Sequence, residues 1–194
     1  RWDALRDSLM DPQDGVVKGL EGKVRFALTL YSGDGQQKCP DLTQVVPPAL
    51  NNYDAINAVY APATWKDNTP TGDSISAITP ALVAFNEPGP KIIILGTDGD
   101  PDMCSDPNSN GTQPPKDVSL ASVKSAFQQG IQTFIIAVGD DCRVRVNRTR
   151  VTVWGFGEEE EEEKRALKEK RRRKKEERAL QTANVCVCVC VCVC

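Results

Sequence analysis

Three aspartates spaced two apart, Asp98, Asp100 and Asp102, follow directly on an apolar run in "KIIILGTDGDPDMC". Carboxylates crowded at a strand end repel one another unless a cation, hydrogen bonds or open water take up the charge. A hard divalent cation is the ligand that such oxygens suit. Hydroxyls stand earlier in the chain, in "NTPTGDSIS", where Thr69 and Thr71 precede Asp73. The other reactive residue type is cysteine. Five of the eight (Cys186, Cys188, Cys190, Cys192 and Cys194) lie in a terminal Val-Cys repeat, leaving Cys39, Cys104 and Cys142 in the rest of the chain. None of these three has C-x-x-C spacing, so neither a zinc ribbon nor a thioredoxin-like site is supported. The sequence holds no histidine. That removes imidazole bases, Ser-His-Asp triads and His-ligated zinc.

The elements that must position these residues read from periodicity. Trp2, Leu5 and Leu9 recur at helical spacing in "RWDALRDSLM". "GKVRFALTLYSGDG" alternates Val24, Phe26, Leu28 and Leu30 and stops at a Gly-Asp-Gly turn. It reads as a strand, with "CPDLTQVV" as the antiparallel partner. "NNYDAINAVYAPA" reads as a short helix. "TGDSISAITPALVAF" reads as a second, which Pro80 is expected to bend or end early. "KIIILG" reads as an apolar strand of the kind buried on both faces of a parallel sheet, and "IQTFIIAVGDD" as a second buried parallel strand that ends in an acidic turn. Between them "SNGTQPP" reads as loop, followed by a helix with Asp117 as its expected N-cap and Gly130 as its stop. This order implies an α/β fold, a doubly wound, mostly parallel sheet flanked by helices.

"NTPTGDSIS" before a helix, "IIILGTDGDPD" closing one buried strand and "IQTFIIAVG" closing the next together resemble the von Willebrand factor type A family, over roughly residues 1–140. The likeness is to its secreted or surface bacterial members. The resemblance implies a metal-ion-dependent adhesion site at the carboxyl ends of the parallel strands. Thr69 would match the family's threonine ligand and Asp98 its T-D-G aspartate. Thr71, Asp73, Asp100 and Asp102 would lie around the site, with Thr71 capping its helix and Asp100 and Asp102 on a solvated rim. The cation would be Mg²⁺, or Mn²⁺ or Ca²⁺, and an acidic side chain of a protein ligand would complete its coordination. In that family a further strand ending in D-x-S-x-S supplies the remaining ligands. It is absent here, so the fold is expected to be incomplete, with a vacancy between "VRFALTLY" and "KIIILG" and a fragment that folds poorly alone. The resemblance also suggests a Cys39–Cys104 disulfide in an oxidising compartment, although the 102–116 loop would have to reach across to the edge strand.

Other readings of the acidic run fit less well. Counting from Asp98, an EF-hand would need Gly and Glu where Met103 and Ser109 stand. A haloacid-dehalogenase type of phosphotransferase would need Thr in place of Asp102.

Composition divides the chain. Residues 1–142 carry ten Lys+Arg against eighteen Asp+Glu, and residues 143–194 carry fourteen against nine. The division is a partial von Willebrand A-like domain over 1–142, a junction over 143–157, a charged low-complexity helix over 158–184 and the Val-Cys repeat over 185–194. The repeat is what a GTGTGT tract encodes, and a slipped frame or joined pieces between Gly139 and Glu158 would produce it. No run is long enough to span a membrane, and no signal peptide is present, so an extracellular, surface or periplasmic setting rests on the resemblance alone. The expected function is a non-enzymatic, metal-dependent binding module. Its rivals are an intracellular subunit of a chelatase-like assembly and a protein that touches nucleic acid through "KEKRRRKK". The near balance of acids and bases, with no interleaved aromatic residue, argues against the last.

Overall fold

The computed structural model describes residues 2–33, 38–64, 66, 68–137, 153–154 and 185–192. The expected helix over 158–184, most of the 143–157 junction and Cys142 lie outside them. The chain is α/β. Its strands β1 (Val24–Ser32), β2 (Asp41–Ala49), β3 (Lys91–Thr97), β4 (Ile131–Ala137), β5 (Val153–Trp154) and β6 (Val185–Cys192) form one sheet in the order β2-β1-β6-β3-β4-β5. β2 pairs antiparallel with β1, and every other pairing is parallel. The helices are α1 (Trp2–Met10), α2 (Val16–Leu20), α3 (Tyr53–Tyr60), α4 (Thr71–Ala84) and α5 (Gln113–Gln128).

Alternation along the strands gives the sheet two apolar faces. Phe26, Leu28 and Leu30 join Leu5, Leu9, Val17, Ile56 and Tyr60 in one cluster. Ala27, Tyr31, Ile93, Leu95 and Ile131 join Ile75, Ile78, Leu82 and Ala126 in the other. α1, α2 and α3 therefore cover one face, and α4 and α5 cover the opposite one. Two glycines set how closely these layers approach. A Cβ at Gly96 of β3 would lie 2.7 Å from Leu5 Cδ2, and one at Gly72 of α4 would lie 2.7 Å from Val118 Cγ1. The glycine of "TPTG" is thus required by α4–α5 packing, which the Ser76–Ser122 hydroxyl contact of 2.8 Å also ties together.

The largest departure from the sequence reading is at the centre of the sheet. The expected vacancy between β1 and β3 is occupied by the Val-Cys repeat. β6 pairs with β1 from Val24↔Val185 to Tyr31↔Cys192, and with β3 from Lys91↔Cys186 to Gly96↔Val191. The physical reason is that a ladder is made by backbone groups, so an extended β-branched segment serves whatever its motif content.

Three smaller departures have local causes. Pro80 lies inside α4 without ending it. It is exposed, so the carbonyl that loses its partner can meet water. α5 begins at Gln113 with Thr112 as N-cap, four residues before Asp117. Pro114 and Pro115 sit in its first turn, where the missing N–H groups have no helical partner to lose. Asp117 is inside the helix and accepts a 2.8 Å hydrogen bond from Gln113 Nε2. The hairpin's second strand runs on through Pro47 and Pro48, as an edge strand tolerates.

Candidate binding site at the carboxyl edge of the sheet

Because β1, β6, β3 and β4 are mutually parallel, their carboxyl ends share one edge of the sheet. Open α/β sheets bind ligands at such an edge. The N-terminus of α4 is brought there by Tyr31, near the end of β1, whose hydroxyl lies 3.2 Å from Thr71 Oγ1 in a buried contact. The preceding loop is tied to the hairpin twice. Asn68 Nδ2 donates to the Gly33 carbonyl at 3.0 Å, and Lys66 Nζ pairs with Asp41 at 3.0 Å. Asn68 has a φ of 71°, in the left-handed region that asparagine tolerates better than most residues.

The loop after β3 folds back onto this corner. Asp102 and Thr69 bond reciprocally. The Thr69 N–H donates to Asp102 Oδ2 at 2.6 Å, and the Asp102 N–H donates to the Thr69 carbonyl at 3.0 Å. Two residues on, the Cys104 N–H donates to Asp73 Oδ2 at 2.9 Å. A disulfide joins Cys104 to Cys39, with their Cα atoms 5.2 Å apart. The 102–116 loop does reach the hairpin, because these bonds draw it over the start of α4 before it enters α5.

Asp102 is therefore not on a solvated rim. It is 2% exposed, and its Oδ1 has no hydrogen-bond partner among the described residues. Burial raises its pKa above the ordinary carboxylate value. The Thr69 N–H works against that shift, and the nearby Asp73 charge adds to it. The sequence reading put Asp100 and Asp102 together on a rim, but the chain turns after β3 ends at Thr97, so the first is left exposed and the second buried. Thr71 does not cap α4 either. Pro70 occupies the cap position, and Thr71 Oγ1 instead reaches the Thr69 carbonyl at 3.3 Å. Tyr31, Asn68 and Lys66 were not singled out from sequence. Only the asparagine carried a local signal, as a turn-former directly before "TPTG".

Asp98 and Asp100 remain outward. Asp98 is half-exposed, and its side chain has no hydrogen bond or ion pair among the described residues. Asp100 is exposed, 3.5 Å from Lys116 Nζ. Thr69 is buried. Thr69 and Asp98 thus sit on the same edge, one before α4 and the other just past β3.

No family model, curated protein or solved structure matches this chain.

The fit to a divalent cation is consequently a question for these residues alone. Asp98 offers a carboxylate with no side-chain partner among the described residues, and Mg²⁺ needs few carboxylates because it keeps several waters. Among the described residues, however, no three His, Cys, Asp or Glu gather as a metal-binding group. The strand at the centre of the sheet contributes only valine and cysteine to the sequence at this edge, where hard cations want oxygen. Among the described residues, Thr69 and Asp98 by themselves do not make a closed metal centre. Among the described residues no helix is long and apolar enough to cross a membrane.

Proposed function

We propose that this chain is a non-enzymatic protein-binding module of von Willebrand A type, working outside the cytoplasm, with the carboxyl edge of its sheet as the binding face. The observation that carries the reading is the reciprocal Asp102–Thr69 bond, which fixes the "TPTG" loop beside the end of β3 so that Thr69 and Asp98 share one edge. A doubly wound arrangement is supported by helices on both faces of a largely parallel sheet. The setting is supported by the Cys39–Cys104 disulfide, a bond that persists in oxidising compartments. It favours an extracellular module over a chelatase-like intracellular subunit.

In this reading Thr69 and Asp98 supply the chain's share of a Mg²⁺, Mn²⁺ or Ca²⁺ site, and an acidic group from a protein partner supplies much of the rest. Cation binding by the free chain is therefore weak, and partner binding and cation binding reinforce each other. The test is a Mg²⁺ titration followed by amide NMR. Shifts confined to residues near Asp98 and Thr69, abolished by Asp98→Asn, support the reading. Shifts that survive Asp98→Asn, or none up to tens of millimolar, sink its cation-dependent part.

A further inference from the structure

Between β3 and α5 the chain makes a turn at "SNGT". The Thr112 N–H donates to the Ser109 carbonyl at 3.0 Å, and Thr112 Oγ1 donates to the same carbonyl at 2.6 Å. Asn110 and Gly111 are therefore the central pair of a four-residue turn. Gly111 has a φ of 74°, which the third position of a type II turn requires and glycine supplies without steric cost. The bond that closes such a turn leaves the two central N–H groups unused. Among the described residues neither the Gly111 N–H nor the Asn110 side chain has a hydrogen-bond partner, and both residues are exposed. Asn110–Gly111 is also the one Asn-Gly pair in the sequence. Other candidates of this kind are tied down. Asn52 Nδ2 is held by the Phe26 and Pro47 carbonyls, and Asn68 Nδ2 by that of Gly33. In Asp14–Gly15 the glycine N–H is bonded to the Asp11 carbonyl at 2.9 Å.

We propose that Asn110 and Gly111 form a self-modification site, at which the chain converts its own asparagine to isoaspartate and aspartate. The Gly111 nitrogen gives its proton to solvent and attacks Asn110 Cγ. The N–Cγ bond forms, the Cγ–Nδ2 bond breaks, and Nδ2 leaves as ammonia after taking a proton from solvent. The five-membered imide that results is opened by one water at either of its carbonyls. One opening restores the backbone with an aspartate side chain. The other routes the backbone through the side chain as isoaspartate. Water is the only co-reactant, and nothing is oxidised or reduced. Glycine serves here because it has no Cβ to shield the attacking nitrogen. Either product adds a negative charge to the loop that carries Asp98 and Asp100. Isoaspartate also lengthens the backbone by one carbon directly before Gly111, a closely fitted residue. The Gly111 carbonyl accepts from Lys116 Nζ at 2.9 Å, and a Cβ on it would lie 3.2 Å from Asp100 Oδ2. The added carbon disturbs that fit, which ties the loop to the first turn of α5 beside the Asp100–Lys116 pair. The site ages the binding edge, and it acts whether or not a cation binds at Asp98.

The experiment holds the full chain at pH 7, 8 and 9, folded or unfolded in guanidinium. Samples are reduced, digested with trypsin at mildly acidic pH, and the peptide covering residues 92–116 is sequenced by mass spectrometry. Isoaspartate is told from aspartate by its resistance to a protease that cleaves before aspartate. Asn110 in the folded chain should gain the mass of an amide-to-acid change at a rate within about threefold of the unfolded chain, as an exposed turn with free amides allows. The rate should rise about tenfold per pH unit, since the deprotonated nitrogen is the nucleophile. Isoaspartate should be among the products. Asn108 is also exposed but is followed by serine, and it should react at less than about a tenth of that rate. Asn110→Gln, which would have to close a larger ring, should show no gain at that position. Reaction at Asn110 only after unfolding, equal reaction at Asn108, or aspartate with no isoaspartate overturns the proposal.

Discussion

The central slot of the sheet and the loops at its carboxyl edge both join segments distant in sequence, but by different means. In the slot, β6 meets β1 and β3 through backbone ladders, from Val24 to Tyr31 on one side and Lys91 to Gly96 on the other. At the edge, particular side chains make the joins: Asp102 to Thr69, Asp73 to Cys104, Asn68 to Gly33 and Cys39 to Cys104. A ladder asks only for an extended chain of suitable propensity, which is why a two-letter repeat can serve at the centre of a fold. The edge asks for identities, and a one-residue change there removes a join outright.

The strongest way to break this comparison is to remove residues 185–194. Both neighbours of the slot then lose a ladder, and each backbone group left buried without a partner costs about 1–3 kcal/mol. Several such groups rival a domain's whole stability of roughly 5–15 kcal/mol. The shortened chain is expected to lose its cooperative thermal transition and to bind a hydrophobic dye. A sharp melt within a few degrees of the full chain would show that the slot needs no occupant.

The edge should fail more gently. Cys39→Ser with Cys104→Ser opens a link between residues 65 apart, which the chain-entropy estimate values at about 4 kcal/mol. Urea unfolding should show that loss with the far-ultraviolet dichroism unchanged. Asp102→Ala, which strands the buried Thr69 N–H, should cost about 1–3 kcal/mol.

The pH dependence of Asp102 sharpens the contrast further. Its pKa in the fold is raised above the ordinary 3.8, first by burial. Between the unfolded and the folded values the folded chain therefore holds a proton that the unfolded chain has already released. The stability this contributes is full below the unfolded value and is lost as pH rises through the folded one. Asp102→Asn should remove that component, so wild type should gain on the variant as pH falls. A wild type that loses ground to the variant on acidification would contradict the assignment.

Asp98→Asn should have the smallest effect on stability, within about 0.5 kcal/mol, because that carboxylate is half-exposed and makes no side-chain bond among the described residues. Its effect should fall on cation response alone.

Much of the scaffold was legible. Leu5 and Leu9 of α1, the alternation of Phe26, Leu28 and Leu30, and the apolar runs of β3 and β4 all sit where their periodicity placed them. The β1–β2 hairpin is antiparallel, as its turn suggested, and Gly130 ends α5 with a φ of 84°. These features depend on local pattern or on burial, both of which sequence records. The burial of Asp102 was not legible, because it follows from a loop closing over α4. Nor was the place of β6, since the repeat carries strand propensity but no mark of which edges it will join. The start of α5 was missed by weighing Asp117 as a cap above the tolerance of a first turn for Pro114 and Pro115.

The most direct measurement is hydrogen exchange of the full chain, comparing amides of residues 185–192 with those of β1 and β3. If the repeat is the central strand, its amides should exchange as slowly as those of Phe26–Leu30 and Ile92–Leu95, all opening together near the global unfolding free energy. Exchange of the Val-Cys amides at the rate of an unstructured peptide, with β1 and β3 still protected, would contradict it.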